Sequence, residues 1–157
     1  MPIDLPPTYE HPVLGTLTWN EGELAYMGEL SFEGRPLSIE IVVDEGAWDE
    51  PMSLAFLIDQ GATAVSMIRQ TWSGLYEVIG SSLLREYDET WRADGAALTG
   101  PALMAHLKPL SVTIYADGRS SVFFADNGID EGGLFAGHYV LTALTREGRV
   151  EDVSLAG

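Results

Sequence analysis

The sequence predicts one α+β domain built on antiparallel sheet, and three observations predict it. Apolar residues alternate with period two near both ends of the chain. A helical stripe fills the middle, and turns of hairpin type separate the strand patterns. A chain of 157 residues is the usual size of one domain, so residues 1–157 read as a single unit. A composition of 46% hydrophobic and 20% charged residues argues against disorder.

The elements follow in order. Pro2, Pro6 and Pro7 make residues 1–10 an extended arm. An N-terminal three-stranded meander comes next, at residues 13–19, 23–33 and 36–44. Its second strand sets Leu24, Tyr26, Gly28, Leu30 and Phe32 on one face and Glu23, Glu29 and Glu33 on the other. Leu37, Ile39, Ile41 and Val43 point inward from its third. Gly34-Arg35 suits the two-residue turn between these strands, which would set Leu30 opposite Ile39 and Glu29 opposite Glu40.

Residues 44–51 form an acidic loop around Trp48. Beyond it, Leu54, Ile58, Gly61, Val65, Ile68, Trp72, Leu75 and Ile79 recur at alternating spacings of four and three, and Leu83 and Tyr87 extend the stripe. One helix over 51–91 would be about 60 Å long at about 1.5 Å per residue. A domain of this length has a radius of gyration of about 15 Å. A break is therefore expected near Ser73-Gly74 or Gly80-Ser81-Ser82. Thr99 caps a third, short helix over 101–107, with His106 in its last turn.

A C-terminal four-stranded antiparallel set completes the fold, at 110–116, 119–125, 137–145 and 149–155. Asp117-Gly118 and Glu147-Gly148 mark two of its turns. The two strand sets form either one curved sheet or two sheets. No repeated strand–helix–strand alternation supports a doubly wound fold.

Charge narrows the function classes. Lys plus Arg is 8 and Asp plus Glu is 24, a net −16. Residues 1–50 hold eleven of the acids and one base, Arg35. Such a chain repels nucleic acid and anionic membrane and attracts basic partners. There is no cysteine, which removes disulfides, thiolate metal sites and cysteine nucleophiles. The N-terminus lacks the basic and apolar regions of a signal peptide, so a cytoplasmic protein is expected.

Chemical motifs are sparse. The loop from Asp126 fails as a calcium loop, because Glu131 and Gly137 occupy the positions where glycine and glutamate are needed. His11, His106 and His138 show no metal-ligand spacing. No nucleophile elbow, phosphate loop or dinucleotide fingerprint occurs. No metal, cofactor or catalytic residue is assigned. Among the tryptophans, Trp19 and Trp72 fall on apolar stripes and read as core. Trp48 in its acidic loop is either a loop anchor or an interface anchor.

Residues 130–138, Asp-Glu-Gly-Gly-Leu-Phe-Ala-Gly-His, are followed by a strand, by Glu147-Gly148-Arg149-Val150 and by a final Leu155-Ala156-Gly157. These resemble a group of uncharacterised bacterial domains with an acidic turn before a Leu-Phe-x-Gly-His segment. The opening 11–19, His-Pro-Val-Leu-Gly-Thr-Leu-Thr-Trp, is similar to the same group's first strand. The resemblance implies an α+β domain of unknown function, and an immunity-type role for some members, neutralising a toxin protein. It brings no catalytic residues. Gly133 stands where the group sometimes carries an aspartate.

Two functions are therefore weighed. The favoured one is a non-catalytic, protein-binding module that meets a basic partner such as a toxin through Glu29, Glu40, Asp44, Trp48, Asp49 and Glu50. The alternative is an enzyme or small-ligand protein with a helix–sheet cleft near His138, using Asp126 or Asp130. Free strand edges leave room for pairing in a homodimer.

Overall fold

A computed structural model describes residues 5–43, 54–92, 97–126, 134–136 and 138–156. Eight strands form one sheet, and their spatial order is their chain order. They are β1 (Thr8–His11), β2 (Gly15–Asn20), β3 (Ala25–Phe32), β4 (Arg35–Val42), β5 (Leu107–Ile114), β6 (Ser120–Asp126), β7 (Tyr139–Leu144) and β8 (Val150–Ala156). Helix α1 (Leu54–Glu86) continues into a π-helical turn, Tyr87–Trp91, and α2 (Gly100–Met104) follows.

The first half of the sheet is a meander of four strands rather than three, because Thr8–His11 pairs antiparallel with β2. Its signal was hidden behind Pro6-Pro7: with only four residues, β1 is too short for an alternation to show. The second half is the expected antiparallel set of four. The two halves join into one sheet through β4 and β5, which run parallel. A parallel pair needs a long crossover, and the helices between β4 and β5 supply it. A wholly antiparallel sheet is thus corrected at this one pairing.

The hairpin from β3 to β4 turns on Glu33-Gly34, one residue earlier than Gly34-Arg35. Both residues have positive φ, 50° and 76°, as a type I′ turn requires. The slip moves the pairing: Glu29 lies opposite Ser38, Leu30 opposite Leu37 and Met27 opposite Glu40. Side-chain faces are unchanged, since the register shifts by an even step.

Helix α1 runs unbroken for 33 residues, about 50 Å. The expected break is absent. Buried residues recur along the helix from Leu57 to Leu83, so its apolar face is covered over nearly its whole length without a break. Its glycines serve approach rather than breakage. A Cβ on Gly61 would stand 2.7 Å from Ile41 Cδ1, and one on Gly80 would stand 3.3 Å from the Gly100 carbonyl oxygen. The stripe from Ile58 to Leu83 is buried as its spacing predicts. Trp72 packs edge-on to Phe32 at 4.8 Å and stacks on Phe124 at 6.0 Å, which ties both halves of the sheet to the helix.

The short helix ends sooner than 107. Thr99 caps it by accepting from the Ala102 amide, but Leu107 already begins β5, which absorbs Pro109 at a bulge. His106 therefore sits in the turn after α2, its amide bonded to the Leu103 carbonyl.

Candidate functional site

Strand alternation decides which residues face α1. Ile41 meets Gly61 of the helix, so Leu37, Ile39 and Ile41 form the covered face and Ser38, Glu40 and Val42 the opposite one. The registers place Met27 on β3 and Thr113 on β5 either side of Glu40. Ser121 and Ala143 continue the row through β6 and β7. On this outer face Met27, Glu40 and Ala143 are half-buried, and Thr113 and Ser121 are buried.

Glu29 is exposed and Glu40 half-buried on that face. They are diagonal rather than directly opposed, since Glu29 pairs with Ser38 and Glu40 with Met27. Burial raises the Glu40 carboxyl above its usual range, and the charge of Glu23 raises it further. Among the described ion pairs, neither Glu29 nor Glu40 has a cationic partner. Asp44, Trp48, Asp49 and Glu50 lie outside the described residues.

A crevice of about 520 Å³ opens further along the same face, between Val42, Tyr115, Ser121 and Ala143. Arg119 stands at its rim, 3.3 Å from Glu151 Oε1 and 4.0 Å from Asp117 Oδ2. These are exposed pairs, and such pairs contribute little to stability. No pattern in the sequence joined Tyr115, Ser121 and Arg119; the turn at Asp117-Gly118 brings them together.

The residues of the His138 alternative have other partners. The Asp126 carboxylate accepts from the amides of Leu134 at 2.9 Å and Phe135 at 2.7 Å. This holds the fully buried Phe135 edge-on between Tyr87 and Trp91. His138 lies half-buried, its ring edge-on to Trp91 at 5.5 Å. Asp130 lies outside the described residues. Among the described residues, no group of three His, Asp or Glu side chains is placed to hold a metal ion.

His11 has a role that its isolated position in the sequence did not reveal. Its Nδ1 accepts from the amides of Val13 at 3.1 Å and Leu14 at 3.3 Å, which places the ring proton on Nε2. Nε2 then donates to Asp59 Oδ1 at 2.9 Å, so one imidazole shapes the turn between β1 and β2 and fastens it to α1. The ring is 8% exposed.

A family model covers residues 11–155, described as an uncharacterized protein conserved in bacteria, DUF2262. The chain belongs to this family. No curated protein and no solved structure matches it. Membership bears out the expectation of an uncharacterised bacterial family, and the match runs from the end of β1 through α1 to Leu155 in β8. Among the described residues, no helix is long and apolar enough to cross a membrane.

Proposed function

We propose that this member of the family is a non-catalytic, protein-binding module whose outer sheet face, opposite α1, receives a basic protein, as an immunity-type neutraliser of a toxin would. One observation carries the reading. The middle of an eight-stranded sheet presents Glu29 and Glu40 on the face opposite α1, and neither has a cationic partner among the described ion pairs. Holding a half-buried carboxylate near another acid costs stability, and a cationic partner would relieve that cost. The net charge of −16 draws such a partner in. Asp44, Trp48, Asp49 and Glu50, which follow β4 in the sequence, are proposed as further contacts for the same partner.

The test is association kinetics between this protein and the products of the genes flanking its own, at low and high salt. A basic product is expected to bind one to one, less tightly as salt rises. Glu29→Gln with Glu40→Gln should slow that association by about tenfold at low salt. Absence of binding by any flanking product, or an unchanged association rate in the double variant, would overturn the reading.

A further inference from the structure

The geometry points to the free edge of β8 as a docking site for an extended, basic segment of a partner protein. This segment adds a strand to the sheet and lays an apolar side chain in the groove between β8 and the end of α1. The site is separate from the outer face around Glu29 and Glu40, and either can fail alone.

The sheet has two edges, β1 and β8. Natural edges are protected by shortness, proline, charge or bulges. β1 has four residues and follows Pro6-Pro7. β8 has seven residues and no proline, and its only charges, Glu151 and Asp152, lie near its start. Its pairing irregularity is also there, opposite Ala143 and Leu144, so residues 152–156 pair regularly with β7. Among the described residues, the backbone of this stretch bonds to nothing but β7. Among the described residues its other side is thus left with N–H and C=O groups for strand addition.

A groove of about 510 Å³ runs beside that edge. Its strand wall is Val153, Ser154 and Leu155. Neighbouring residues of a strand point to opposite faces, so a hollow touching all three wraps the edge itself. The far wall comes from the end of α1 and its π-helical turn, where the half-buried Trp91 supplies apolar surface beside the buried Leu83. Trp91 is fixed there by its indole N–H, which donates to Glu86 Oε1 at 3.3 Å.

Charge selects the occupant. Glu86 and Glu89 border the groove against one base, Arg85, and Glu151 and Asp152 sit on the strand. An entering strand that alternates basic and apolar residues would set its apolar side chains against Trp91. Its cations would then reach the glutamates. A second copy of this chain would instead bring its own Glu151 and Asp152 to an acidic edge, and like charges across a strand pair are destabilising.

The probe is a capped peptide of sequence Lys-Val-Lys-Leu-Lys-Val-Lys, titrated into the isotope-labelled full chain and followed by amide and indole signals. Shifts are expected at residues 152–156 and at the Trp91 indole, and the glutamate analogue of the peptide should give none. Ser154→Lys should weaken binding by about tenfold or more. Glu86→Lys with Glu89→Lys, both exposed and outside the core, provides a second route to the same loss if the edge variant is unstable. No shift at β8, shifts confined to β3 and β4, or self-association through β8 would each overturn the proposal. Shifts at β3 and β4 alone would leave the outer-face reading standing.

Discussion

Asp126 illustrates how one carboxylate can look like chemistry in the sequence and prove to be architecture. Lying close in the chain to other acids and to His138, it invites a catalytic reading. In the fold both of its oxygens accept backbone amides, from Leu134 and Phe135. A charge-assisted hydrogen bond contributes about 1.5–3 kcal/mol. Asp126→Ala is therefore expected to lower stability by about 2–3 kcal/mol, measured by urea unfolding, and to disturb the signal of Trp91, which packs on Phe135. Asp126→Asn retains one acceptor and should lose about half as much. A variant as stable as the parent would show that the carboxylate does not hold the turn. His11 makes the same point from the other side. Nothing in a lone histidine before a proline announces that its ring accepts two amides and donates to Asp59. Such a role depends on a turn and on a helix 48 residues away. Periodicity carries no information about either.

At the scale of elements, periodicity served well where a long segment had one buried face. The stripe of α1 is buried from Ile58 to Leu83, and Leu37, Ile39 and Ile41 are buried on β4. It failed at β1, too short to alternate visibly, and at the turn of Glu33-Gly34, where a non-glycine residue takes positive φ. The glycines of α1 misled for a physical reason: glycine weakens a helix, yet it also permits close packing. Gly74 and Gly80 separate the two effects. A Cβ on Gly74 would meet nothing within 4 Å. Gly74→Ala should therefore raise stability by about 0.5–1 kcal/mol, through backbone entropy alone. A Cβ on Gly80 would stand 3.0 Å from Met104 Cγ and 3.3 Å from the Gly100 carbonyl oxygen. Met104 is fully buried, and its carbonyl accepts from the Tyr76 hydroxyl at 2.7 Å, so α2 has little freedom to retreat. Gly80→Ala should lower stability by about 1 kcal/mol despite the gain in helix propensity. Thermal melting of the two variants side by side checks the opposite signs, and equal shifts would refute the packing role of Gly80.

At the scale of the whole molecule, the decisive feature is the parallel pairing of β4 with β5. It turns two meanders into one sheet, and because α1 and α2 form the crossover, the helical layer lies on one face. Local sequence could not show this, since the pairing joins segments on either side of the helical region. The acidic excess was legible as a number, but its placement depended on a register that slipped at Glu33-Gly34. The result leaves Glu40 half-buried between Met27 and Thr113, its carboxyl raised above the usual value by burial first and by Glu23 second. A carboxyl with a raised value in the fold holds its proton more tightly there than in the unfolded chain. Its contribution is fully present below the unfolded value, near 4.5, and is lost as pH rises through the raised folded value. Ionised Glu40 thus weakens the fold at neutral pH. Glu40→Gln removes that ionisation, so it should raise the melting temperature at pH 7. The advantage should shrink as pH falls toward 4.5, where the parent carboxyl is increasingly protonated. Melting curves of parent and variant across this range give the test. A gap that stays constant with pH would mean that Glu40 does not titrate differently in the two states. A gap that widens on acidification would reverse the sign and place an unseen cation beside Glu40, removing the electrostatic reason for a basic partner to settle there.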